Sequence, residues 1–106
     1  MYIIVFVTAS NRKEARAIAD GLIKQKLAAC VNITGPIESV FWWKGKIDRA
    51  REFLLLVKSR RRLLPRIIAA VKRLHSYEVP EIIAVNIAAG EKKYLRWIDD
   101  ACRTAA

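Results

Sequence analysis

Residues 74–83, LHSYEVPEII, hold the only histidine of the chain and most of its evident chemistry. His75 stands two residues before Tyr77, with Glu78 and Glu81 just beyond and Pro80 stiffening the run. Imidazole suits copper, zinc and nickel, and the neighbouring phenol and carboxylates add oxygen donors within a few residues. The same residues fit a plainer role, with His75 ending a helix whose dipole favours an imidazolium and the rest turning into a strand. Residue types alone leave both readings open. A single histidine does exclude a multi-histidine metal centre within one subunit.

Other reactive groups are few. Cys30 and Cys102 are the only thiols, too few for a disulfide framework and too far apart for a zinc motif. They read as buried or half-buried thiols, with a bridge expected only in a hyperthermophile's cytosol. Nothing in the sequence brings either one to His75. There is no Walker loop, GxGxxG, GxSxG or HExxH, so the chain reads as non-enzymatic.

Charge is the strongest compositional feature. The formal net charge is +10, and residues 58–73, KSRRRLLPRIIAAVKR, carry seven basic side chains and no acidic one. Such a surface attracts polyanions, so nonspecific nucleic-acid binding through residues 58–73 is one reading and a solvated helix face the other. Single-strand RNA binders stack bases on aromatics in a defined central-strand run. Here Phe6 and Phe53 are scattered among aliphatics, and that run is missing.

The elements that must position these groups follow from periodicity. Residues 2–8, YIIVFVT, are β-branched and aromatic, which predicts a buried strand. Asn11 and Glu14 form a capping-box variant, and Ala15, Ile18, Ala19, Leu22, Ile23 and Leu27 then make one apolar helical stripe. Residues 29–43 and 46–59 predict two long strands around a tight Lys44-Gly45 turn, with Gly35-Pro36 marking a bulge or an edge. A second helix follows over 64–74 with Pro65 in its first turn, then a fourth strand over 81–87 and a short helix bearing Tyr94, Leu95, Ile98 and Cys102.

The order β-α-β-β-α-β-α is an α+β, ferredoxin-like arrangement with one added C-terminal helix, a single domain over 1–106. FLLLV at 53–57 and IIAVNI at 82–87 are nearly continuous apolar runs, so both sheet faces should be buried. A hairpin arm of ~13 residues reaches ~43 Å, whereas a compact chain of this length has a radius of gyration of about 13 Å. Its tip, with Trp42 and Trp43, should leave the body and anchor an oligomer interface. No apolar run approaches the ~18 residues that span a bilayer, so no membrane partner is expected. YIIVFV lacks the flanks of a signal peptide, which makes a cytoplasmic setting the expectation.

Taken together, AACVNI at 28–33, SVFWWKGKI at 39–47, LLLVKS at 54–59, LHSYEVPEIIAV at 74–85 and YLRWI at 94–98 resemble the CutA divalent-cation tolerance proteins over nearly the whole chain. The resemblance implies a cytoplasmic homotrimer of ferredoxin-like subunits, related in architecture to the PII signalling proteins, and a role in tolerance of copper and other heavy metals. Some bacterial members have copper ligands ascribed to a cysteine and two adjacent histidines. Val7, Leu74 and His75 occupy those places here, so His75 alone remains as a candidate metal ligand. Lys58, Tyr77 and Glu81 are expected to line an intersubunit cleft with it. No cofactor is required, and a weak, open site for Cu(II) or another divalent metal is expected, losing affinity below about pH 6.5 as imidazole protonates. The alternatives are a PII-like sensor with a small ligand in that cleft, and the basic nucleic-acid-associated protein already described.

Overall fold

A computed structural model of the chain describes residues 1–103; residues 104–106, the end of the expected 1–106 domain, lie outside the described residues. The opening apolar run forms strand β1 (Tyr2–Ala9), and the first amphipathic segment forms helix α1 (Arg12–Lys24). Asn11 caps that helix by accepting the Glu14 amide at 2.8 Å. Glu14 reaches back to the amide and hydroxyl of Ser10 rather than to Asn11. The helix stops short of Leu27 because Lys26 takes a left-handed φ of 57°, yet Leu27 still enters the core.

The long hairpin forms as its turn chemistry dictates. Lys44 and Gly45 both have positive φ, 52° and 78°, which matches the twist of the strands they join. The first arm is divided into β2 (Cys30–Ile33) and β3 (Ile37–Trp43), while the second is one strand, β4 (Lys46–Arg60). Ile33 pairs with Leu55 and Ile37 with Glu52, so three residues around Gly35-Pro36 oppose two on β4. That is a bulge, placed where proline has no amide to donate. A 3-10 turn, Arg61–Leu63, which periodicity did not reveal, leads into α2 (Leu64–Leu74) with Pro65 in its first turn. Strand β5 (Ile82–Asn86) and helix α3 (Lys92–Cys102) complete the order, α3 being capped by the Glu91 carboxylate on the amides of Lys93 and Tyr94.

All pairings are antiparallel, in the order β2-β4-β1-β5, with β3 extending the β4 edge beyond the bulge. Helices α1 and α2 cover one face. Ile3, Val5, Val7, Leu55 and Val57 meet Ile18, Leu22, Ile67 and Val71 there, and none of these side chains keeps more than a trace of exposure. Each such burial stabilises the fold by about 1.5–3 kcal/mol before the cost of ordering. Ile98 and Cys102 of α3 join the same core, where the buried Ser59 hydroxyl donates to the Leu27 carbonyl at 2.6 Å.

The opposite face is different. Register places Phe6 of β1 between Leu56 of β4 and Ile83 of β5, and Ile4 between Lys58 and Val85, and among the described residues no element covers this face. Ile83 is 56% and Val85 45% exposed. The continuous apolar runs therefore bury one face within the subunit and leave the other bare. The hairpin projects as its length predicts: the long axis is 44 Å, and the radius of gyration is 14.2 Å. Trp42, at its tip, is 73% exposed.

Candidate functional site

Where α2 ends, the chain turns under the root of the hairpin, and the turn is held by His75. This residue is the C-terminal cap of α2, in extended conformation, and its ring is fully buried. Nε2 lies 2.6 Å from the Thr8 carbonyl oxygen, and Nδ1 accepts the Tyr77 amide at 3.0 Å. A carbonyl can only accept, so these two bonds require the neutral ring with its proton on Nε2. Both nitrogens are occupied. The imidazole ties the end of β1 to residues 76–81 and offers no free lone pair to a ligand, so the structure favours the helix-ending role for His75 over the ligand role.

Glu14 reinforces the same turn from α1. One carboxylate oxygen serves Ser10, and the other accepts the Ser76 amide at 2.9 Å. Burial pushes the Glu14 carboxyl upward, but the hydrogen bonds from Ser10 and Ser76 outweigh it and leave it below its usual range. Thus two residues distant in sequence, Thr8 and Glu14, fix the backbone that carries Tyr77.

Tyr77 is thereby aimed at β4. Its ring lies 4.6 Å from that of His75, tilted by 52°, and its hydroxyl donates to Glu52 at 2.9 Å. Burial first, then the Glu52 hydrogen bond and charge, push the phenol up to about 12. Tyr77 is therefore a donor at any ordinary pH. Glu52 is itself only 6% exposed, one of few buried charged side chains.

Around this pair opens a cleft of about 830 Å³ between the hairpin and residues 76–81. Phe41, Trp43 and Val79 supply apolar walls, and Thr8 and Ser39 supply hydroxyls. Asp48, Glu52, Glu78 and Glu81 also line it, with Arg49 as the only cation among the described residues. Four of the ten acidic residues of a +10 chain are gathered here. Burial, and secondarily the charge of Glu52, raise the Glu81 carboxyl above its ordinary value.

The structure thus brings Tyr77 and Glu81 together, with Trp42 and Trp43 on the cleft's hairpin wall, and places His75 behind them. Lys58 is not in this subunit's cleft. It lies six residues beyond Glu52 on β4, ~20 Å along the strand, opposite Cys30 and Ile4. Among the described residues no three His, Cys, Asp or Glu side chains converge closely enough to hold a metal ion. Cys30 and Cys102 are both free thiols, and burial pushes the Cys102 thiol up. Glu52 was missed in the sequence, although it left a signal: it precedes FLLLV in phase with Leu54 and Leu56, a lone carboxylate on an apolar strand face. Glu14 was noticed only as a cap.

A sheet ordered β2-β4-β1-β5 with two helices on one face defines a ferredoxin-like fold, here with an outstretched hairpin and an acidic cleft at its root. The family model described as CutA1 divalent ion tolerance protein matches residues 3–101, and the chain belongs to that family. It is 46% identical over 100 residues to the divalent-cation tolerance protein CutA of Archaeoglobus fulgidus, covering 94% of this chain and 97% of that one. It is 42% identical over 95 residues to the protein of the same name from Thermus thermophilus, covering 90% and 92%. The chain spans 57% and 56% of the chloroplastic CutA proteins of rice and Arabidopsis thaliana, at 46% and 44% identity over 95% of its own length. The solved structure of the Archaeoglobus fulgidus protein, titled a periplasmic divalent cation tolerance protein, superimposes with a TM-score of 0.94 at 45% identity, over 96% of this chain and 99% of that one.

Proposed function

We propose that this chain serves divalent-cation tolerance as a non-enzymatic homotrimer, and that it takes up its cation weakly in the cleft around Tyr77. The observation that carries this reading is the collection of Asp48, Glu52, Glu78 and Glu81 in one cleft of an otherwise basic chain. Burial, and after it the like charge of Glu52, make the Glu81 carboxyl harder to ionise, and a bound cation offsets both. The names of the relatives point the same way. Glu52 and Glu81 are the ligands of this reading, with water or a neighbouring subunit completing the shell. Cu(II) and Zn(II) at high concentration are the cations to try. His75 orients Tyr77 rather than binding metal. The bare sheet face and exposed Trp42 support the trimer, and the two free thiols support a reducing, cytoplasmic setting.

Calorimetric titration with Cu(II) and Zn(II) tests this. Glu52→Gln and Glu81→Gln should each weaken binding about tenfold, the scale of one lost charge-assisted contact. His75→Gln, which keeps a donor for the Thr8 carbonyl but has no imidazole, should change it far less. Loss confined to the His75 variant would reject the cleft site.

One observation favours a second reading, a PII-like sensor of a small organic ligand. A volume of about 830 Å³ with Phe41, Trp43 and Val79 as walls is the size and character of a small-molecule site rather than of a cation site. Native mass spectrometry of protein purified without added metal separates the two, since it reports subunit number and bound mass together.

A further inference from the structure

The helix layer has a character that the cleft does not explain. Helices α1 and α2 lie side by side on one sheet face, close enough that a Cβ at Gly21 would stand 3.0 Å from Leu74. The segments forming this layer, residues 12–26 and 61–73, hold ten of the twenty basic side chains but only two acids, Glu14 and Asp20. Glu14 is committed to Ser10 and Ser76. Among the described residues no lysine or arginine of this layer forms an ion pair. The basic run seen in the sequence is thus half of a larger patch, which folding completes with the outer face of α1.

Spacing arranges these charges in two rows. Lys13, Arg16 and Lys24 fall on one exposed stripe of α1 with Asp20 among them, and Arg66 and Arg73 on one exposed stripe of α2, while Arg62 at its start donates to the Cys102 carbonyl of α3. Neighbouring packed helices lie 8–10 Å apart, and Arg66 to Arg73 rises ~10 Å along the axis. We infer that the α1–α2 face is a docking surface for duplex nucleic acid, held through its phosphates without regard to sequence. Charge complementarity supplies the attraction: a duplex carries one negative charge per ≈ 1.7 Å of axis and releases counterions when basic side chains replace them. Residues 10–29 and 60–74 contain no Phe, Trp or Tyr. The face therefore lacks the stacking platform that holds unpaired bases and the aromatic anchors of an interfacial membrane helix. Basic stripes without aromatics fit a backbone that presents only phosphate.

The test is fluorescence anisotropy with a 24-bp duplex of arbitrary sequence, on the full chain, between 50 and 300 mM KCl. With four or more phosphates neutralised, log Kd should rise with log salt with a slope of about 4. Two double reversals of equal net charge are compared, Arg66→Glu with Arg73→Glu on α2, and Lys92→Glu with Lys93→Glu at the exposed start of α3, the first pair repeated as Gln. The α2 pair should cost at least tenfold more affinity than the α3 pair, with both variants keeping the parental melting temperature within a few degrees. Equal losses would mean that only net charge matters and would overturn the assignment to this face. Tighter binding to vesicles of anionic phospholipid than to the duplex would overturn the choice of partner.

Discussion

Tyr77 and Glu52 are 25 residues apart in sequence and meet through a 2.9 Å hydrogen bond that closes the floor of the cleft. Replacing Tyr77 by Phe leaves the carboxylate of a residue only 6% exposed without its donor. The expected loss is about 1–3 kcal/mol, the cost of an unsatisfied buried polar group. Urea unfolding of Tyr77→Phe, Glu52→Gln and the double variant checks it. The two single effects should fall short of adding if the bond is the shared cause.

The raised phenol of Tyr77 has a consequence at high pH. Its folded value, about 12, lies above the ordinary 10.0, so the folded state holds the proton more tightly. That contribution to stability is fully present below pH 10 and is lost as the pH rises from about 10 towards 12. Ultraviolet titration should show a late tyrosine ionisation that is missing in Tyr77→Phe, and that variant should flatten the fall in stability over that window.

Glu14 behaves in the opposite sense. Its folded carboxyl is held below the usual value, so its stabilisation is present above the unfolded range and lost as acid takes the pH down through the folded one. Glu14→Gln should lower stability at neutral pH by about 1.5–3 kcal/mol, the range of hydrogen bonds to a charged group. The deficit should vanish in acid, and hydrogen exchange should show faster opening at the Ser76 amide. A deficit unchanged down to pH 2 would mean that its charge is irrelevant.

Cation binding should follow the carboxylates. Because Glu81 is raised by burial and by Glu52, protons should begin to displace the cation above the ordinary carboxylate range as pH falls. A binding midpoint that tracks imidazole, near pH 6.5, and disappears in His75→Gln would return His75 to the role of ligand.

Association should depend on the hairpin tip. Replacing both Trp42 and Trp43 by Ala should weaken the proposed trimer by several kcal/mol, as loss of buried aromatic anchors does. Light scattering at micromolar concentration reads this directly, and a monodisperse parent monomer would reject the trimer itself.

Much of the fold was legible because its signals are local. The strand-helix order, the Asn11 cap, the Lys44-Gly45 turn and the break at Gly35-Pro36, read as a bulge or an edge and found to be a bulge, each depend on the backbone preferences of a few adjacent residues. The 3-10 turn at Arg61–Leu63 and the early end of α1 were less legible, since the apolar stripe runs on through Leu27 after the helical backbone has stopped.

The candidate site divides along the same line. Residue types and spacing determined that LHSYEVPEII ends a helix, turns and enters a strand, and that its tyrosine and carboxylates are the side chains with something to offer. Only the tertiary structure decided which way each one faces. Antiparallel register brought Glu52 under Tyr77 and carried Lys58 away along β4, and the packing of β1 and α1 set the Thr8 carbonyl and Glu14 where they occupy and enclose His75. Those partners lie 25 to 67 residues apart in the chain. Their meeting depends on the strand pairing and packing of the whole sheet, which no short stretch of sequence encodes.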